Sequence, residues 1–128
     1  MSERWPRLLA AGGRWREGMR ALGGWRCLTE ADDSEHGHPE WAGLWQSRVL
    51  AADLPSSTPD LTDPATLGCL LAEVRRLSGD PCAHVMPAGG VWKVYYRRPT
   101  RPTTQVVYGG TEGTALLGAL ADILEVTP

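Results

Sequence analysis

The residue types best suited to holding a metal lie close together between positions 32 and 40, which read Asp-Asp-Ser-Glu-His-Gly-His-Pro-Glu. His36 and His38, flanked by Glu35 and Glu40, can bind Zn²⁺ or Ni²⁺ by ligand type alone. A dedicated site needs its ligands fixed by a scaffold, whereas residues 30–43 have the composition of a solvated, turn-rich loop. No metal and no cofactor is therefore expected. The same segment suggests a different role for its charge: Asp32, Asp33, Glu35 and Glu40 present closely spaced carboxylates that can imitate nucleic acid toward a basic partner.

Three other constellations touch on chemistry. Cys82 and His84 are two residues apart, so on a strand both point to one face and a thiol–imidazole pair is geometrically possible. No third group to orient the pair is evident, and Cys82 follows a proline. The Gly pairs at 12–13, 23–24, 89–90 and 109–110 lack the Lys-Ser/Thr sequel or the G-x-G-x-x-G frame of a phosphate loop, and read as turns. Lys93, Arg97, Arg98 and Arg101 interleave with Trp92, Tyr95 and Tyr96, a pattern that can form a basic, stackable surface for nucleic acid.

Those residues need elements to position them. At 128 residues, with 42% apolar and 22% charged side chains, the chain has room for a single soluble domain spanning 1–128. Four regions differ in character: an Arg- and Trp-rich segment over 1–29, the acidic loop over 30–43, a Pro/Ser-rich connector over 53–63, and an α-β-β-β-α core from Asp63 to Leu124. In the core, Asp63 is an N-cap, Pro64 suits the first helical position, and Gly79 supplies a left-handed stop. Between them Leu67, Leu70, Leu71, Val74 and Leu77 form one apolar stripe. Strands follow at Cys82–Met86, Val91–Arg97 and Thr103–Tyr108, with Pro87 to Gly90 as a turn. The central strand has a face of Val91, Lys93, Tyr95 and Arg97 and a more apolar face of Trp92, Val94 and Tyr96, which should meet the helices. Thr111 caps a closing helix whose stripe is Leu116, Leu117, Leu120, Ile123 and Leu124. The fold class is thus α+β: a three-stranded antiparallel meander flanked by two helices, each covering part of one sheet face.

The amino-terminal part is expected to add a helix and one or two strands. Trp5, Leu8 and Leu9 predict a short helix ended by Gly12 and Gly13. The i, i+4, i+7 spacing of Trp15, Met19 and Leu22 predicts helix to about Arg20, with strands from Trp25 and over Leu44–Ala52. The rival reading makes Met19–Leu22 and Trp25–Thr29 two strands joined at Gly23-Gly24.

Charge is unevenly placed: residues 1–28 carry a net +4, residues 29–63 a net −7 and the rest +1, for an overall −2. A slightly acidic chain has no bulk attraction for nucleic acid or an anionic membrane. Three widely spaced cysteines are not a disulfide framework, and Cys69, in a helical stripe, is expected to be a buried thiol. No run of about 18 apolar residues exists, so no membrane association is expected, and Met1 to Leu9 lacks a secretory signal's apolar stretch. A reducing cytoplasm fits.

The stretch Asp63 to Pro81 (DPATLGCLLAEVRRLSGDP), the W-x-V at Trp92 to Val94, and Thr111 to Leu124 (TEGTALLGALADIL) resemble small uncharacterised phage and prophage proteins of the phage ABA-sandwich, NinX-like type. The resemblance covers about half the chain. It implies an α/β sandwich of phage or prophage origin, acting in a bacterial host, and no catalytic residues. The α-β-β-β-α order also matches the double-stranded-RNA-binding domain, which places lysines at the start of its last helix. Here Thr111-Glu112-Gly113-Thr114 offers an acid instead.

The expectation is therefore a non-enzymatic accessory protein that binds a host protein or complex, of the anti-defence or host-takeover class. Six Trp and a surplus of Arg suit that role, since both concentrate binding energy. Candidate contacts are Trp41, Trp45, Tyr95, Arg97, Arg98 and Arg101. The alternatives are a nucleic-acid-binding module and a protein that sequesters a small ligand such as a nucleotide.

Overall fold

Asp63 opens the longest helix by accepting a hydrogen bond from the Thr66 backbone N–H at 3.0 Å, with Pro64 in the first turn. Gly79, left-handed at φ +77°, closes it by donating to the Arg75 carbonyl. Thr111 and Thr114 form a reciprocal capping box at the start of the last helix. These helices belong to a computed structural model that describes residues 4–16, 18–20, 26–29, 40–42, 48–50, 59–100 and 103–126. The elements are α1 (Arg4–Ala10), β1 (Arg26–Thr29), β2 (Glu40–Ala42), β3 (Arg48–Leu50), α2 (Pro64–Ser78), β4 (His84–Ala88), β5 (Val91–Tyr96), β6 (Gln105–Gly109) and α3 (Glu112–Leu124). The chain is α+β, and α2-β4-β5-β6-α3 follows the expected order.

Strands β4-β5-β6 form an antiparallel meander, and β1-β2-β3 form a second three-stranded antiparallel sheet. The β4–β5 turn is tighter than expected. Pro87 and Ala88 pair with Trp92 and Val91, leaving only Gly89 and Gly90, at φ +60° and +89°, to reverse the chain. Positive φ at both central residues gives the twist a two-residue hairpin requires, and glycine adopts it without a Cβ penalty. Pro87 is tolerated because β4 is an edge strand.

The layering differs from two helices sharing one sheet face. Helix α3 packs across all three strands of the meander, whereas α2 lies chiefly against α3 and reaches the sheet through β5. The small residues of α3 make this possible. Gly113, Ala115, Ala119 and Ala121 are buried beside Leu116, Leu117 and Leu120, so apolar surface surrounds much of the helix. Gly109 allows its first turn to come close, since a Cβ there would lie 2.4 Å from the Ala115 nitrogen.

In the amino-terminal part, α1 forms where Trp5, Leu8 and Leu9 predict it, but no helix runs on to Arg20. Residues 13–16 are irregular and Gly18 sits at φ +95°, outside helical space. Trp15 and Met19 are nonetheless buried, Trp15 edge-to-face with Trp5 at 5.2 Å. Their spacing therefore reflects two anchors on an irregular segment rather than a helical turn. Of the rival strand reading, Asp60 N–H donates to the Arg20 carbonyl at 2.7 Å, while residues 21–25 lie outside the described residues. Three smaller corrections follow. Glu40 to Ala42 is the central strand of the first sheet rather than loop, because pairing with β1 and β3 satisfies its backbone on both sides. Cys69 is half-buried, not buried, because it lies on the flank of the stripe. Cys82 sits in the turn before β4 rather than on the strand.

The main addition to the expected core is charged. Glu73, between Leu70 and Val74 on the inward side of α2, has no solvent exposure. Arg76 grips its carboxylate with a fork, Nε to Oε1 at 2.8 Å and Nη2 to Oε2 at 2.7 Å. Arg16 donates from Nη1 at 2.9 Å, and Arg14 Nε lies at ion-pair distance, 3.4 Å. Arg76 also donates to the Gly12 carbonyl at 2.9 Å, and the Arg20 N–H donates to Thr66 Oγ1 at 2.8 Å. Gly12, Arg14, Arg16 and Arg20 are thus tied to α2 at Thr66, Glu73 and Arg76.

Burial pushes the Glu73 carboxyl up, but hydrogen bonds and charge from Arg76 and Arg16 outweigh it and hold the group below the usual glutamate range. A depressed native pKa adds stability above the unfolded-state value of about 4.3, and that stability is lost as pH falls through the native value. Glu73→Gln is expected to lower stability at pH 7 by about 2–4 kcal/mol, below a fully buried pair because the arginines are partly solvated. Urea denaturation should show this gap narrowing below about pH 4.3. A gap that stays constant to pH 3 contradicts the assignment.

Candidate binding surface

Helix α3 covers only one face of the β4-β5-β6 sheet. Cross-strand pairing places Val85, Trp92, Val94, Tyr96 and Val107 on the helix side. There Val94 and Tyr96 are fully buried, and the Tyr96 hydroxyl donates to the Asp122 carboxylate of α3. The other face is assembled from alternate residues of the same strands. His84 pairs with Tyr95 and Tyr95 with Val106; Met86 pairs with Lys93 and Lys93 with Tyr108; Ala88 pairs with Val91. The large apolar residues most exposed among the described residues are Met86, Val91, Val106 and Tyr108, and all four lie on this face. Tyr108 is the most open, at 61%.

The face has internal order. The His84 and Tyr95 rings stack at 4.9 Å with 20° between planes, and Lys93 Nζ lies 5.5 Å from the centroid of the Tyr108 ring. His84 Nδ1 is 3.2 Å from the Cys82 carbonyl, which places a proton on that nitrogen. The imidazole is thereby held by backbone and stacking, and its Nδ1 is not available to a thiol. At the end of the face a cleft of about 330 Å³ opens between Asp80, His84, Tyr95, Arg97 and Thr104. Asp80 shapes its rim by accepting the Cys82 and Arg97 backbone N–H groups, each at 2.9 Å.

The sequence-predicted contacts are dispersed by this arrangement. Tyr95 lies on the open face and Arg97 is exposed at the cleft. Arg98 turns back instead, its Nη2 donating at 2.7 Å to the Asp122 carbonyl near the end of α3, where a cation offsets the helix dipole. Trp92 and Tyr96 face the helices, so the basic-aromatic run is divided between the two sides of the sheet. Trp41 and Glu40 lie in β2, opposite Val49 and Leu50 of β3. Trp45, Arg101, Asp32, Asp33 and Glu35 lie outside the described residues. Among the described residues no three His, Cys, Asp or Glu side chains are grouped to hold a metal ion, and no helix is long and apolar enough to cross a membrane.

No protein-family model, curated protein or solved structure gives a significant match to the chain. Geometry and composition are what bear on function.

Met86, Val106 and Tyr108 were not singled out by the sequence reading. Each sits on an outer strand whose register with β5 decides its face, and the sequence carries only weak signs of register. Removing an open-face side chain should leave the fold intact, whereas the helix side should not tolerate comparable changes. Tyr108→Ser is expected to change stability by less than about 0.5–1 kcal/mol, and Tyr96→Phe to cost about 1–2 kcal/mol by leaving the Asp122 contact unmade. Thermal denaturation of the two variants checks the contrast, and equal losses contradict it.

Proposed function

We propose that the chain is a small non-enzymatic accessory protein that acts by binding another protein through the open face of the β4-β5-β6 sheet. The observation that carries this reading is the gathering of Met86, Val91, Val106 and Tyr108 on one uncovered sheet face. Contiguous exposed apolar surface of this kind marks interaction sites, and Tyr and Met are enriched at the centres of protein interfaces. The phage-type resemblance at Asp63–Pro81, Trp92–Val94 and Thr111–Leu124 supports a host protein as the partner and an anti-defence or host-takeover role inside a bacterial cell.

Nucleic acid is the second reading, favoured by the stacked His84–Tyr95 pair and by Lys93 beside Tyr108. It is the weaker one. Phosphate contacts dominate such binding, and among the described residues strand pairing places one cation, Lys93, on this face, with Arg97 at its end. The apolar side chains of Met86, Val91 and Val106 give a phosphate backbone nothing to pair with.

Affinity capture from bacterial extract with the wild-type chain and with Val106→Asp/Tyr108→Ser separates the readings. The expected result is a discrete protein that survives nuclease treatment, is retained at raised salt and is lost from the double variant. Retention on heparin with a steep salt dependence favours nucleic acid instead. Capture unaffected by the double variant contradicts the proposed surface.

A further inference from the structure

The ion cluster around Glu73 gathers three arginines on one carboxylate. Above it lies an open groove of about 500 Å³ whose lining includes Arg14, Arg16, Arg75 and Arg76, with Ala72 and Pro81. Arg76 in fork geometry and Arg16 already satisfy the carboxylate. Arg14 adds a third cation at 3.4 Å. Arg75 adds a fourth without touching Glu73. Its Nε donates to the Ala83 carbonyl at 2.8 Å, and its two Nη groups bond to no protein atom among the described residues. Four guanidinium groups thus border the groove, and Glu73 is the one carboxylate among the described residues that pairs with Arg14, Arg16 and Arg76. No other Asp or Glu among the described residues lines the groove. The carboxyl end of α2 contributes only about half a negative charge.

The guanidinium groups are also fixed in place. Arg14, Arg16 and Arg76 are anchored at one edge by Glu73 while 33%, 25% and 35% of their side-chain surface remains open. Arg75 is anchored through the backbone of Ala83. Anchored, partly open arginine forks are pre-organised to bind a phosphate, whose oxygens match the paired N–H donors. The groove volume lies in the range of small-ligand sites, and the aliphatic arginine stems with Ala72 and Pro81 offer an apolar wall.

We propose that this groove binds a small phosphate-bearing ligand, a phosphate monoester or diphosphate of nucleotide size, with Arg75 as its main reader and Arg14, Arg16 and Arg76 supplying the surrounding field. The site shares no residue with the open sheet face, so it stands whether or not that face binds a protein. A ligand that binds only the folded chain also stabilises it, which links occupancy to stability.

Calorimetric titration of the full chain at low salt with pyrophosphate, adenosine 5′-monophosphate, adenosine and a single-stranded oligonucleotide tests the site. The expected result is one-to-one binding of pyrophosphate and the nucleotide, with Kd below about 1 mM, and no saturable heat from adenosine. Arg75→Gln should weaken both at least about ten-fold while still unfolding in one cooperative urea transition, shifted by no more than the lost Ala83 hydrogen bond, and Arg75→Lys should recover part of the binding loss. Pyrophosphate should raise the melting temperature of the wild type and raise that of Arg75→Gln less. Overturning results are the absence of saturable binding, binding that Arg75→Gln leaves unaltered, adenosine binding as tightly as its phosphate, or binding of the oligonucleotide alone.

Discussion

A carboxylate removed from water inside a small protein imposes a condition on everything near it. Glu73 is ionised and fully enclosed, and an uncompensated charge in that position costs several kcal/mol. The compensation comes from Arg76 one turn further along α2 and from Arg14 and Arg16 more than fifty residues earlier in the chain. Helix α2 can therefore not seat its inward face until Arg14 and Arg16 are laid against it. That requirement also explains their irregular path. A regular helix over residues 13–20 would satisfy its own backbone, but here the Arg16 N–H meets Met19 Sδ and the Arg20 N–H meets Thr66 Oγ1. Two arginines and two large apolar residues then reach α2 and the core together.

Signals confined to a few neighbouring residues were readable in the sequence. Asp63, Pro64 and Gly79 define α2 by rules that involve only adjacent backbone groups, and Thr111 does the same for α3. The alternation within Val91–Tyr96 sorted Val94 and Tyr96 from Lys93 and Tyr95, because a strand's period needs no partner to be seen. What depended on distant pairing was hidden. The apolar stripe of α2 gave no reason to include Glu73, since its partners lie in a segment with no local signature. The side that Tyr108 and Met86 occupy depends on their register against β5. Arg98 looked like a free cation on a basic turn because its acceptor, the Asp122 carbonyl, belongs to a helix formed later in the chain.

The two surfaces that stand out are chemically unlike each other and arise from different constraints. The open sheet face exists because a single helix, α3, covers the meander from one side. The arginine groove exists because burying Glu73 brings Arg14, Arg16 and Arg76 together on one carboxylate. One surface is apolar with aromatic order, the other polar and strongly charged, and no residue contributes to both.

Helix α3 touches the meander on one side and α2 and α1 on others, so each of those elements leaves apolar surface bare without it. Its burial is shared by partners from both ends of the chain rather than by a local neighbour. Packing shared in this way is expected to make the unit fold cooperatively. The backbone amides of α3 should accordingly open to solvent only when the whole unit comes apart, making this helix the slowest to exchange its hydrogens.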